Sequence, residues 1–282
     1  MERENGHQNE MLEHLIQSMP LEEYEGFTFK ELHYLIYDPF SENSPLSLNE
    51  AIDSEILHKI PFFNLVNYFL NLVEQIQPIK INSNGHLPLT IIKPVYDQHF
   101  ITEDFEDDHE TKIVRHSRSL SVKNVRFITD LAGLTITNNR EFTLTQKGEK
   151  FKANENRSKL FTEIFKTYTT KFKWSFNDNL GNNNIGQFGF SYLLNLIYKY
   201  GEVPRDLRFY LDKYYQAFNS LLVNPDAIEF HKDLFHRCFI LRSIHRFLNW
   251  FGLINIINEP ISNQMDYIIE KSDVFDALIR FD

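Results

Sequence analysis

Residues 121–151 decide how the fold is read: Ser121-Val-Lys-Asn-Val-Arg-Phe-Ile-Thr-Asp-Leu-Ala-Gly-Leu-Thr-Ile-Thr-Asn-Asn-Arg-Glu-Phe-Thr-Leu-Thr-Gln-Lys-Gly-Glu-Lys-Phe151. Advancing about 100° per residue from Ser121 to Ala132 puts Val122, Val125, Ile128 and Ala132 on one side, towards a core. Lys123, Arg126, Phe127 and Asp130 fall on the other side. Gly133 closes this helix. Leu134-Thr-Ile136 and Phe142-Thr-Leu144 then alternate apolar and polar residues around Thr137-Asn-Asn-Arg140, the pattern of a β-hairpin. Another helix begins near Thr145.

Upstream, Pro61 to Gln77 reads as a helix, with Pro61 in the first turn where its missing N–H loses no partner. Ile79-Lys-Ile81 is a short strand, Asn82-Ser-Asn-Gly85 a turn and Leu89 to His99 a helix. The order is then helix, short strand, helix, helix, strand, turn, strand, which is that of a winged helix. The segment Phe142 to Phe151 resembles the ending of bacterial winged-helix regulators, in which the last wing strand enters a helix through Leu-Thr-x-Lys-Gly. Further upstream, Phe27 to Asp38 is an amphipathic helix stopped by Pro39, and Ser54 to Ile60 is a short helix.

Three downstream phrases echo this unit. Tyr68-Phe-Leu-Asn-Leu-Val73 matches Tyr192-Leu-Leu-Asn-Leu-Ile197, and Tyr96-Asp-Gln-His-Phe100 matches Tyr214-Tyr-Gln-Ala-Phe218. Val125 to Leu134 matches Ile244 to Leu253. The offsets are 124, 118 and 119 residues, colinear and nearly constant. Leu253 to Ile257 and Tyr267 to Ile269 would form a second wing. The expected fold is therefore mainly α (α+β), with tandem winged-helix-like units carrying small β wings and an N-terminal helical arm. The expected divisions are an acidic arm 1–59, a first unit 60–153, a basic helical connector and Asn-rich linker 154–184, and a second unit 185–282.

Composition is that of a globular chain: of 282 residues, 42% are hydrophobic and 15% aromatic, enough to build a large core. The first ten residues are polar and expected to fray. No signal-peptide pattern and no apolar run of about 20 residues is present, so the expected location is cytoplasmic, with no membrane partner. The net charge of -10 is unevenly spread: residues 1–110 carry -16, residues 111–173 carry +9 and residues 174–282 carry -3. Such asymmetry marks either an interaction surface or an acidic arm packed on a basic middle.

The phrases Phe27-Thr-Phe-Lys-Glu-Leu-His-Tyr-Leu-Ile-Tyr-Asp-Pro-Phe40, Ile60-Pro-Phe-Phe63 and Phe172-Lys-Trp-Ser-Phe-Asn-Asp178 resemble a family of uncharacterised bacterial proteins, over about residues 27–220. Some members carry an additional SEC-C zinc motif. The resemblance implies no activity and no site residues. With Cys238 as its single cysteine, this chain lacks the SEC-C cysteine cluster.

Enzyme signatures are absent. There is no Gly-rich phosphate loop ending in Gly-Lys-Ser/Thr, no His-Glu-x-x-His and no Gly-x-Ser-x-Gly, so no catalytic residue or cofactor is expected. The carboxylates from Asp104 to Glu110 fit no EF-hand spacing and read as a solvated loop. His231, His236, Cys238 and His245 are separated by 5, 2 and 7 residues, which forms no tight ligand pair on a helix, so no metal site is expected. Tyr37-Asp38 and Trp174 read as packing and turn residues.

The candidate functional residues lie on the two third helices and the first wing. In the second copy Leu241, Ile244, Phe247, Leu248 and Phe251 are expected to face inward, and Arg242, His245, Arg246 and Asn249 outward. A DNA-associated regulatory or accessory protein would contact duplex through Lys123 and Arg126, through Arg140 at the wing tip with Lys147 and Lys150, and through Arg242, His245 and Arg246. The alternative is a protein-interaction adaptor that uses the same scaffold without nucleic acid, favoured by the acidic balance.

Overall fold

The computed structural model describes residues 18–101, 119–222, 228–258 and 267–282. They form two compact units. The central unit comprises Glu50–Gly181 with His245–Leu253; the terminal unit comprises the chain up to Asn49, Asn182–Ile244 and Ile254–Asp282. Helix dominates, with small antiparallel sheets, so the class is mainly α within α+β.

In the terminal unit α1 (Phe29–Tyr37) starts at a capping box, Thr28 accepting from the Glu31 backbone N–H while the Glu31 carboxylate accepts from Thr28. β1 (Leu46–Leu48) leads out of the two-proline loop. The central unit follows with α2 (Ser54–His58) and α3 (Pro61–Ile76). α3 buries Phe62, Phe63, Leu65, Val66, Phe69, Leu70 and Val73 along one stripe, the 3.6-residue period of a core-facing helix. Then come β2 (Ile79–Lys80), α4 (Leu89–Tyr96), α5 (Leu120–Leu131), β3 (Thr135–Asn138), β4 (Glu141–Leu144), α6 (Gln146–Lys152) and α7 (Arg157–Thr170). The sheet order is β2-β4-β3, with Ile79 opposite Phe142 and Thr137 also opposite Phe142. Asn139 and Arg140 both have positive φ, so the hairpin closes with the two left-handed residues that match the strand twist.

α7 is the basic stretch expected to be a connector. Its Leu160, Phe161, Ile164, Phe165 and Tyr168 are buried, so it is a core helix of the central unit. An aromatic cluster surrounds it. Phe62 stacks on Trp250 at 5.6 Å, Phe251 meets Phe165 and Tyr168 edge-on at 5.2 and 5.0 Å, and Trp174 lies 4.7 Å from Phe247. The buried Trp174 indole N–H donates to the Tyr168 carbonyl at 2.9 Å, so burial leaves no orphan donor.

The terminal unit continues with α8 (Phe190–Tyr200), β5 (Arg205–Asp206), α9 (Leu207–Leu222), α10 (Ile228–Cys238) and a π-helical run Phe239–Asn249 that carries the chain into the central unit at His245. β6 (Ile254–Asn258), β7 (Ile268–Lys271), α11 (Asp273–Leu278) and β8 (Ile279–Phe281) complete it. The sheet order is β5-β7-β6, and β8 pairs with β1 from the N-terminal arm.

Among the described residues each unit holds a three-stranded antiparallel sheet in which a short first strand is hydrogen-bonded to the last. Local details repeat as well. Gly133 and Gly252 are both left-handed, at φ 70 and 63. Leu134 N–H bonds the Thr129 carbonyl just as Leu253 N–H bonds the Leu248 carbonyl. Thr145 and Ser272 each cap the following helix by accepting from the N–H three residues on.

In the terminal unit Glu25 links elements far apart in sequence. Its carboxylate pairs with Lys213 and accepts from the Tyr200 hydroxyl, both at 2.6 Å, and its carbonyl accepts from Lys199. Burial pushes this carboxyl up, but the hydrogen bonds from Lys213 and Tyr200 and the charges of Lys213 and Lys199 outweigh burial and hold it below its ordinary 4.5. A carboxyl lowered on folding stabilises fully above its unfolded pKa, and that contribution is lost as pH falls through the folded value. Glu25→Gln is therefore expected to lower the urea midpoint at about pH 7 and to cost much less at about pH 3. An equal loss at both pH values would show that the charge of Glu25 contributes nothing.

Candidate functional site

α5 was the expected reading helix. Ser119 caps it by accepting from the Val122 N–H, and Val122, Val125, Ile128 and Ala132 are buried as the sequence pattern requires. Its other side is not an open polar face. Lys123 and Arg126 are both half-buried. The Arg126 Nη1 donates to the Gly85 carbonyl in the turn before α4, and its guanidinium lies 5.5 Å from the Phe142 ring centroid. Burial lowers the Arg126 pKa and raises that of Asp130, so for both groups desolvation outweighs their mutual attraction. Phe127 meets Phe176 edge-to-face at 4.8 Å. The side chains of α5 that stand exposed are Phe127 and Leu131, one helical turn apart, with exposed Ile136 on β3.

The segment from Thr145 to Gly148 folds back onto the end of α5. The Thr145 hydroxyl donates to the Gly133 carbonyl at 2.7 Å and accepts from the Gly148 N–H at 3.0 Å. Lys147 donates to the Ala132 carbonyl at 2.8 Å and pairs with Glu163 at 3.0 Å, so it closes a helix end rather than projecting as a free cation. Arg140 and Lys150 are exposed.

Two of the second-copy residues are not where the helical wheel put them. Arg242 is fully buried and Arg246 nearly so, at 0% and 8% exposed. The run is π-helical, and its i→i+5 bonding widens each turn, so faces assigned at 100° per residue drift out of register. Arg242 donates to the Asn183 carbonyl and side-chain oxygen and to the Ile185 carbonyl, at 3.0, 2.6 and 3.1 Å. Arg246 donates to the carbonyls of Phe176 and Asn177 at 3.2 and 3.4 Å. Both arginines bind the backbone of the Asn-rich linker, which lacks regular structure to satisfy its own carbonyls. Neither is available to phosphate. His245 is half-buried and Asn249 exposed. Leu241, placed inward, is half-buried; Ile244, Phe247, Leu248 and Phe251 are buried as expected.

A cavity of about 870 Å³ opens in the central unit between the turn before α4, the first two turns of α5 and the Phe176–Asn177 bend. Lys123, Arg126, Phe127 and Ser119 all line it, and among the described residues no Asp or Glu does. Sequence reasoning missed this site. Its only advance signal was the outward pair Lys123 and Arg126, and the walls come from three stretches separated by tens of residues.

Asp104 to Glu110 and the side chain of His231 lie outside the described residues, as do the first ten residues. Cys238 is buried, and burial lowers the His236 pKa. Among the described residues no group of three or more His, Cys, Asp or Glu could hold a metal ion, and no helix is long and apolar enough to cross a membrane. No protein-family model, curated protein or solved structure matches the chain.

Proposed function

We propose that this chain is a regulatory adaptor built on two winged-helix-like units, and that it docks a partner protein through α5 instead of reading DNA with it. The observation that carries this reading is the identity of the exposed side chains of α5. A helix that reads a major groove presents hydrogen-bonding groups to base edges. α5 presents Phe127 and Leu131, with Ile136 beside them, while Lys123 and Arg126 are half-buried. Exposed aromatic and aliphatic anchors of this kind suit a protein interface.

A duplex-binding reading retains one specific support, the exposed Arg140 at the hairpin tip together with Lys150, which could reach phosphates. A nuclease-treated pull-down from the native cell, with wild type and Leu131→Asp side by side, separates the two. Leu131 is 46% exposed, so the substitution leaves the fold intact. A partner retained after nuclease by wild type and lost by Leu131→Asp is the expected result. Duplex binding at about 50 mM salt that weakens steeply as salt is raised and weakens on Arg140→Ala would instead establish phosphate contact.

A further inference from the structure

The cavity in the central unit has the size of a small-molecule site, which typically spans about 300–1,000 Å³. Its chemistry is one-sided. Lys123 and Arg126 contribute two cations, and among the described residues no carboxylate lies in the wall to neutralise them. Asp130, on the same helix, is the charged neighbour that acts on Arg126, and it is not part of the lining. The Lys123 ammonium makes no hydrogen bond or ion pair with any described residue. The Arg126 guanidinium is engaged through Nη1, and its Nε–H is buried away from the cavity, so it acts on a ligand there chiefly through its charge. The amino end of α5 also opens on the cavity at Ser119, which adds positive potential there. Opposite in character are Phe127 and Phe176, whose rings meet in the same wall and offer an aromatic surface.

We infer that this cavity binds a small planar aromatic carboxylate, its anionic group taken by Lys123 and Arg126 and its ring set against Phe127 and Phe176. The site shares Phe127 with the docking face of α5 but does not rest on that docking role. A carboxylate there supplies the counter-charge that Lys123 lacks among the described residues. The aromatic pair accounts for a planar ring over a compact inorganic anion, which would leave most of the cavity unfilled.

Isothermal titration of the full-length chain with 2-naphthoate tests this, with 2-naphthalenemethanol as the uncharged analogue and inorganic phosphate as the ringless anion. Saturable binding of naphthoate at one site is expected, at least tenfold tighter than either control. Lys123→Met keeps the aliphatic stem, removes the charge and breaks no polar contact with any described residue. It is expected to weaken naphthoate at least tenfold with an unchanged melting temperature. Arg126→Met is the companion variant, since it removes the second cation of the wall, and is expected to weaken binding as well. Leu131→Asp is expected to bind naphthoate as wild type does, so loss of a protein partner and loss of this site are separately visible. No saturable binding, binding of the alcohol as tight as the acid, or naphthoate affinity unchanged in folded Lys123→Met would each overturn the assignment.

Discussion

Phe251→Ala is expected to cost about 3–5 kcal/mol of unfolding free energy, the range for truncating a fully buried aromatic residue. Phe251 has no exposed surface. Its ring sits among Phe62, Phe165, Tyr168 and Phe247 with centroids 5.0 to 5.9 Å away. These neighbours come from α3, α7 and the π-helical run, so no local rearrangement closes the space that truncation leaves. Aromatic pairs in edge-on geometry add about 0.5–1.5 kcal/mol each beyond area burial, which places the cost in the upper part of the range. Chemical denaturation with two-state fitting measures it. A loss below about 1 kcal/mol would show that this cluster is not the core of the central unit. Phe251→Leu, which keeps most of the volume, is expected to lose less than half as much.

That residue was placed correctly from its sequence while its neighbours Arg242 and Arg246 were not, and the contrast shows what the pattern can carry. Phe247 and Phe251 are four apart, close enough to a turn that either a 3.6-residue or a wider helix keeps them together. The arginines were placed outward at 100° per residue, a step that the π-helical run does not keep. Burial of a guanidinium is possible where it meets several carbonyls in place of water, and the linker supplies them. Nothing in the local sequence announces that those carbonyls will be close in space.

α7 gives a second instance. Leu160, Phe161, Ile164, Phe165 and Tyr168 repeat at helical spacing and are buried, yet the stretch read as a basic helical connector. A helix can do both, since long cationic side chains reach water from the edges of an apolar stripe. The hairpin and the turn at Gly133 were read correctly because their signals are local: turn residues between alternating runs, and glycine at a left-handed helix end. The cavity was not legible. Its cations were visible on one helix, but Phe176, Gly85 and Phe127 are brought together only by tertiary packing.

The same distinction makes Gly148 a sharp test, because local and tertiary reasoning give opposite signs. Gly148 lies inside α6 in an ordinary helical position, where replacing glycine by alanine normally stabilises by about 1 kcal/mol. In this fold an alanine Cβ would stand 2.1 Å from the Leu134 carbonyl oxygen and 3.0 Å from its carbon. Both are backbone atoms, so no side-chain rotation relieves the overlap. The carbonyl cannot withdraw freely either, since it accepts from the Thr145 N–H at 2.9 Å and from the Thr145 hydroxyl. Making room means moving α6 off the end of α5 and breaking those bonds together with the Lys147 cap on Ala132. Gly148→Ala is therefore expected to destabilise by about 3 kcal/mol, the upper end for forced overpacking. Lys147→Ala, which removes only a half-exposed cap and ion pair, is expected to cost about 1 kcal/mol or less. A Gly148→Ala variant as stable as wild type in thermal or urea unfolding would show that α6 does not press against Leu134. The glycine in the Leu-Thr-x-Lys-Gly segment would then owe nothing to this contact.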